Sequence, residues 1–387
     1  MSQQTQQLYH DPKKALWACS TAAGFIPVLA IWLYGQTGNE WVLWLGFTFF
    51  YVAIPVFENL FGLDTHNPPR EAIGALRDDK IYRLIIFSTM PIIYFSWVYS
   101  AWFLSTTPLS PNGYIAVTVG SGMMLGGSLN AGHETGHRRD GASLFFSRLF
   151  LSISFMGHFR VEHNLGHHVQ VATAEDTATS KMGQNFYAFT WHELPGGYKR
   201  AWQIEKKRLK RHGKSAFSLE NELLQNWSLT IVMYGAILYA FGWYILPYLL
   251  GAALLANLLL SSANYIEHYG LIRQKDDEGK YERVQPHHSW NANHILSNIF
   301  LLHLQRHSDH HAHAERPYQC LRHFDSSPQL PYGYFTMYLL AWTPALWFRV
   351  VDPLLAKQLD YDMEKVYIAD KYRSTAFAKY HHPGRAA

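Results

Sequence analysis

The amino-acid sequence predicts an all-α membrane protein with about six transmembrane helices and a cytoplasmic cap carrying histidine motifs. Three observations support this fold class. Hydrophobic residues make up 48% of the 387 residues and charged residues only 16%, whereas about a quarter of the residues in soluble domains are charged. The apolar residues form blocks of the length that crosses a bilayer as a helix, about 20 residues. Polar stretches that contain many of the 22 histidines separate these blocks.

Six apolar runs are the predicted spans. They are Ala15–Tyr34, Trp41–Gly62, Tyr82–Leu104, Tyr114–Ala131, Trp227–Phe241 and Tyr244–Ser262. Any one of them could be a buried core helix, but six runs with scarcely a charge favour a membrane protein. Two further aromatic segments, Leu144–Phe159 and Tyr334–Phe348, are predicted to lie in the membrane interface.

The distribution of positive charge predicts the orientation of these spans. Positive residues lie between the second and third runs and before the fifth, where the segment 199–211 is strongly basic. The loops Gln36–Glu40 and Ser105–Asn112 contain none. By the positive-inside rule, both termini and the histidine motifs face the cytoplasm. We expect residues 1–387 to form a single integral-membrane domain.

The cysteine content limits the redox chemistry of this chain. Cys19 and Cys320 are its two cysteines, and neither belongs to a CxxC pair. A disulfide scaffold, an iron–sulfur centre and a four-cysteine iron site are therefore not expected. Any electrons that the protein uses have to come from a separate donor. The mild net charge of +4 gives no indication of nucleic-acid binding.

Histidines cluster in four short motifs that predict a metal centre. The motifs are AGHETGHRRD, VEHNLGHH, NYIEHYG and LQRHSDHHAH, with His133, His137, His163, His167, His168, His268, His307, His310 and His311 as candidate ligands. Residues four apart on a helix share a face, so His133 and His137 can reach one metal ion. Three or four imidazoles satisfy one tetrahedral ion. Nine exceed the needs of a single metal and favour two.

Other functions remain open at this point. HETGH also fits a zinc protease with Glu134 as general base, although seven clustered histidines would then have no role. A metal transporter would carry its ligands inside the spans, whereas these motifs lie at span ends. Imidazole suits iron, copper, zinc or nickel, so the ligand type does not select the metal.

Each motif contains an acidic residue beside a histidine. Glu134, Glu162, Glu267 and Asp309 stand next to candidate ligands, and Asp176 follows the second motif. We expect most of these carboxylates to accept the second N–H of a ligand imidazole and so to orient it. The other thirteen histidines, such as His192, lack comparable spacing, and His303 and His313 are the likeliest additions to the ligand set.

The four motifs closely resemble those of the transmembrane alkane 1-monooxygenases, and the likeness extends from the first span to about Leu330. The resemblance implies a non-haem centre of two iron ions, with the nine histidines as ligands and O2 as co-substrate. The expected reaction is terminal hydroxylation of linear medium-chain alkanes to 1-alkanols in the bacterial inner membrane. A related enzyme with the same histidine pattern, a xylene-type methyl hydroxylase or a fatty acyl desaturase, is the alternative.

The resemblance also implies an electron donor and a substrate channel. Family members typically receive electrons from rubredoxin, which a reductase and NAD(P)H supply, and no fused rubredoxin is expected in this chain. Because rubredoxins are acidic, the basic residues Lys199, Arg200, Lys206, Lys207 and Arg208 are predicted to form the docking surface. Aromatic residues of the second and third spans, Phe50, Tyr51, Phe95 and Trp97, are predicted to line the channel.

Overall fold

The computed structural model describes residues 9–382, and within this range it contains helices, turns and isolated bridges but no β-strand. The first helices are α1 (Ala18–Thr37), α2 (Glu40–Phe61), α3 (Ile73–Asp78), α4 (Lys80–Thr106), α5 (Pro111–Gly136) and α6 (Gly141–Ser152). Next come α7 (159–170), α8 (Phe186–Arg211), α9 (Glu222–Phe241) and α10 (Trp243–Glu267). The last are α11 (Ile295–Phe300), α12 (His307–Ala312), α13 (Tyr334–Ala341), α14 (Pro344–Gln358) and α15 (Arg373–Tyr380). The all-α prediction is confirmed for the described residues.

Four helices of the described range are long and apolar enough to cross a membrane, namely α1, α2, α4 and α10. They coincide with the first, second, third and sixth predicted spans. Helices α13 and α14 are long and apolar enough when taken together, but their axes differ by 118° at the break between them. The structure therefore supports four or five spans by length and composition, fewer than the six predicted.

The fourth and fifth predicted spans are helices, α5 and α9, but they are not among these four. Helix α5 contains glycines that pack closely against α10. A Cβ on Gly122 would lie 2.8 Å from the Leu255 side chain, and one on Gly126 would lie 2.9 Å from Leu259. Small residues of this kind let two helix backbones approach closely. Helix α5 is thus held against α10 along its length.

Helices α5 and α10 run in the same direction. At their N-terminal ends the Tyr114 hydroxyl donates a hydrogen bond to the Tyr244 carbonyl (3.1 Å). At their C-terminal ends they carry His133 and lead into His268. The parallel packing therefore brings histidines that are distant in sequence to one end of the bundle.

The two segments predicted as interfacial helices are shorter or broken in the structure. The helix in 144–159 ends at Ser152 and is followed by turns in which Phe155 has φ +60°. The segment 334–348 is interrupted between Ala341 and Pro344, where the proline ring ends the preceding helical geometry. Both predicted ranges therefore run across a helix end.

Candidate metal centre

The nine predicted ligand histidines meet in two groups. The first, called the five-histidine group, contains His133, His137, His163, His168 and His310. The second, the four-histidine group, contains His167, His268, His307 and His311. In each group the candidate ligand atoms lie within 4.8 Å of one another. The two groups adjoin, since the rings of His168 and His311 are 4.6 Å apart between centroids.

The imidazoles turn the same atom, Nε2, toward each other. In the five-histidine group the short Nε2–Nε2 distances are 3.0 Å for His133–His310, 3.2 Å for His133–His137, 3.0 Å for His163–His168 and 3.1 Å for His168–His310. In the four-histidine group they are 3.2 Å for His268–His307, 2.8 Å for His307–His311 and 3.2 Å for His167–His311. Two nitrogens bound at right angles to one ion at about 2.1 Å would be about 3.0 Å apart. The spacing therefore fits nitrogen ligands around two metal ions.

A π turn in α7 explains why the adjacent residues His167 and His168 belong to different groups. The backbone N–H of His168 donates to the carbonyl of His163 over residues His163–His167, an i to i+5 hydrogen bond. This wider turn places His163 and His168 on one face, toward the five-histidine group. His167 then points toward the four-histidine group.

Helix α12 divides its histidines in the ordinary α-helical way. His307 and His311 are four residues apart, share a face and belong to the four-histidine group. His310 lies on the neighbouring face and joins the five-histidine group. This short helix therefore supplies histidines to both groups.

Burial favours the neutral form of several imidazoles of the two groups. It lowers the pKa of His163, His310 and His311 well below the usual range, and the neighbouring histidines lower each pKa further. Metal ligation requires the unprotonated nitrogen. The environment thus favours the protonation state that binds a cation.

A buried ion-pair network supports His167 from behind. The Asp176 carboxylate lies 3.0 Å from His167 Nδ1 and 2.9 Å from Arg200 Nη2, and it accepts a hydrogen bond from Thr179 (2.7 Å). Arg200 also pairs with Glu162. Burial alone would raise the pKa of Asp176, but His167 and Arg200 together hold it below its usual range. Asp176 thus contacts the His167 ring at Nδ1, the nitrogen that does not face the other imidazoles.

An apolar cavity ends at the histidines. Ser20 and Gly24 of α1, Phe50 and Tyr51 of α2, and Ile93 of α4 contribute to its wall. Its polar end is formed by Asn130, His133, His163, Asn264, Glu267 and His307. Of the four predicted channel residues, Phe50 and Tyr51 line this cavity. Trp97 is buried in the helix core and Phe95 is half exposed, and neither is part of the wall.

The amino-acid sequence matches known proteins over most of the chain. A family model for fatty acid desaturases matches residues 110–348. An alkane 1-monooxygenase of Ectopseudomonas oleovorans is 43% identical over 96% of this chain and 93% of its own length. One of Pseudomonas putida is 42% identical over 97% of this chain and 93% of its own.

The chain belongs to the alkane 1-monooxygenase family. The hydroxylase component of a xylene/toluene monooxygenase from Pseudomonas putida is more distant, with 28% identity over 65% of each chain. The predicted family assignment is therefore confirmed, and the xylene-type alternative is the weaker match.

The other predicted orienting acids of this alkane 1-monooxygenase family member have different partners. Glu134 pairs with Arg138 (3.4 Å), Asp309 with Arg316, and Glu162 with Arg200. Glu267 differs, because one of its carboxylate oxygens lies 3.3 Å from His307 Nε2, the nitrogen that faces the other imidazoles. Among the described contacts of these five acids, Asp176 is the one that meets a ligand imidazole at Nδ1.

The histidines outside the two groups have other surroundings. His303 is buried on Trp17, with Nδ1 donating to the Tyr318 carbonyl (2.8 Å) and Nε2 3.0 Å from Lys13. His313 is about half exposed, and His192 is exposed. The structure does not place any of these three in a ligand group.

A third group of possible ligands, Glu282, His287 and His288, is a poor metal site. His288 Nδ1 accepts a hydrogen bond from the backbone N–H of Gln285 (2.9 Å). Its Nε2 must then carry the proton, which points to Glu282 at 3.2 Å. The ring is thus satisfied within the protein and has no nitrogen free for a metal.

The basic stretch predicted to dock the electron donor contains both ion-paired and exposed residues. Arg200 is mostly buried against Glu162 and Asp176, and Arg208 pairs with Glu205 (2.6 Å). Lys199, Lys206 and Lys207 are exposed. Helical spacing could have distinguished Arg200 from the exposed lysines. Arg200 lies on the same face of α8 as Glu193 and Gly197, which precede it at intervals of three to four residues.

Proposed function

We propose that this protein is an alkane 1-monooxygenase that hydroxylates the terminal methyl group of linear medium-chain alkanes with O2. One observation carries the proposal: two groups of converging histidines end an apolar cavity. The relatives named alkane 1-monooxygenase, 42–43% identical over nearly the whole chain, support the substrate class.

The two histidine groups would hold two iron ions. The five-histidine group would bind one and the four-histidine group the other, with the Glu267 carboxylate facing the second. An unactivated C–H bond offers no group on which an acid or base can act, so the bound iron would supply the oxidising chemistry when O2 is present. Imidazole is a suitable ligand for iron.

The surrounding residues orient the substrate and exclude water. The reaction balances as RH + O2 + 2 electrons + 2 protons giving ROH + H2O. Phe50, Tyr51 and Ile93 give the alkane an apolar surface, and burial there is favourable by about 25 cal/mol per Å2. A chain end held at His133 and His307 would present its methyl group to the centre.

Electrons would come from rubredoxin, reduced by its reductase with NAD(P)H. The exposed residues Lys199, Lys206 and Lys207 are a suitable docking surface for an acidic protein. Arg200 and Arg208 are not part of this smaller surface, because carboxylates of the same chain already pair with them.

In the membrane, α5 and α9 would complete six spans with α1, α2, α4 and α10. The histidine end would face the cytoplasm of a bacterial inner membrane, where the basic loops also lie. This orientation leaves the centre on the side where NAD(P)H is available.

The test is conversion of octane by the purified chain in reconstituted membranes. With rubredoxin, its reductase and NADH, we expect 1-octanol. An aromatic methyl compound and a fatty acyl substrate are assayed in parallel. Products from either of these, with no 1-octanol from octane, would refute the proposal.

A further inference from the structure

Glu193 of α8 is a buried acid that neither histidine group uses. Glu193 is 8% exposed to solvent. One carboxylate oxygen accepts a hydrogen bond from Asn264 Nδ2 (3.0 Å), and the other is buried with no hydrogen-bond partner among the described residues. The nearby Ser261 hydroxyl is hydrogen-bonded to Thr190 (2.9 Å). An incompletely bonded buried carboxylate costs stability, so its retention calls for a functional reason.

Asn264 connects Glu193 to the cavity. The amide belongs to the cavity wall together with Glu267, His163 and His307. On α10, Asn264 and Glu267 are three residues apart and share a face. The Glu193 carboxyl therefore lies directly behind a residue that borders the space where substrate and O2 would meet.

The charged groups around Glu193 favour its protonated form. No cation pairs with it among the described residues, whereas Arg200 pairs with both Glu162 and Asp176. Burial raises the pKa of Glu193 to about 7, repulsion from Glu162 and Asp176 adds to the shift, and the nearby polar groups of Ser261 and Asn264 oppose it. Tyr198 also lies within electrostatic range of Glu193. At neutral pH the carboxyl group can both hold and release a proton.

We propose that Glu193 is a proton-delivery residue, whose carboxyl group passes a proton past Asn264 to the oxygen atom that leaves as water. The inference rests on the proposed function, in which hydroxylation consumes two protons and two electrons for each O2. The O–H bond of the carboxyl breaks, an O–H bond of the departing water forms, and solvent returns a proton to the carboxylate. The donor protein supplies both electrons.

Glu193→Gln tests the role, because glutamine keeps the size and the polar contact with Asn264 but carries no transferable acid proton. We expect octane hydroxylation at pH 7 to fall about 100-fold, the lower end of the range of general acid catalysis, with iron content unchanged. The wild-type rate should fall as pH rises through about 7, and the variant should lack this step. Glu193→Asp, which keeps an acid, should retain a larger part of the rate and the pH step.

A second measurement does not depend on activity. The infrared difference spectrum between wild type and Glu193→Gln should show the band of a protonated carboxyl group at pH 6 that is lost above pH 8. Glu205→Gln is the matched control on the same helix, because Glu205 is buried but ion-paired with Arg208. It should keep both the hydroxylation rate and the band.

If Glu193→Gln kept the rate and the pH profile of the wild type, the inference would be overturned. Loss of iron in this variant, which would indicate a structural role, or a difference spectrum without the carboxyl band would also overturn it. Failure of the wild-type chain to produce 1-octanol would instead refute the proposed function, and the two failures are therefore distinguishable.

Discussion

The five-histidine and four-histidine groups differ in how the protein surrounds them. In the five-histidine group His137 and His168 are only partly buried, whereas all members of the four-histidine group are buried. The four-histidine group is also supported by the network of Asp176 and Arg200. Supporting hydrogen bonds fix ring orientation and strengthen metal binding. One group is therefore anchored in the protein interior, and the other reaches the surface.

Removing a ligand of the anchored group should have the largest effect. His268→Ala deletes a fully buried member of the four-histidine group. We expect iron to fall from two ions per chain to about one, and octane hydroxylation to become undetectable. Metal analysis of the purified protein and product analysis measure both changes.

His192→Ala is the control, since His192 is exposed and lies outside both groups. It should retain iron and activity. Equal tolerance of the two substitutions would contradict the ligand assignment of His268.

Loss of the carboxylate behind His167 should have the next largest effect. Asp176→Asn keeps the side-chain shape but removes the charge that pairs with His167 and Arg200. We expect iron affinity of the four-histidine group to fall about 10- to 100-fold, measured by competition with a chelator. An equal loss from both groups would mean that Asp176 acts on the general fold.

Asp176 also predicts a pH dependence with a defined sign. Burial raises the pKa of Asp176, but the contacts with His167 and Arg200 outweigh this effect and hold the pKa below the usual range. The stabilising contribution of Asp176 is therefore fully present above the unfolded pKa of about 3.9. It is lost as pH falls below that value toward the folded pKa. Asp176→Asn should therefore flatten the acid limb of thermal stability, and an unchanged limb would contradict the ion-pair account.

A smaller effect is expected one step further from the metal. Arg200→Gln leaves Glu162 and Asp176 buried without their shared cation, and should weaken iron binding in the four-histidine group several-fold. Arg200→Lys keeps the charge and should lose less. Arg211→Gln, an exposed position on the same helix, is the control. If Arg200→Gln matched this control, the network would have no effect on the metal.

The smallest effect concerns the exposed lysines of α8. Reversing charge at Lys206 and Lys207 should raise KM for rubredoxin a few-fold at low salt and leave iron content unchanged, because exposed charges act mainly on association. Steady-state kinetics at two salt concentrations measure it. A change in kcat without a change in KM would place the docking surface elsewhere.

The sequence was sufficient to find the histidines that converge in the structure, because histidine motifs depend on residue type and spacing. All nine predicted histidines belong to the two groups. The division between the groups was not predictable, because it depends on the π turn at His163–His167. In a regular helix His163 and His167 would share a face instead of His163 and His168.

Other features depended on tertiary contacts that a single sequence does not reveal. Arg200 looked like part of an exposed basic stretch, but it pairs with two buried acids. Glu267 was expected to orient a ring from outside, but it lies beside His307 Nε2. The run Tyr114–Ala131 was predicted as a span from its apolar residues, but the close packing of Gly122 and Gly126 against α10 could not be predicted.

Iron stoichiometry and Mössbauer spectroscopy of the purified protein test the central claim most directly. We expect two iron ions per chain in two different histidine environments, and loss of one signal in His268→Ala. One metal ion per chain, or zinc in place of iron, would contradict the assignment of two metal sites to the two histidine groups.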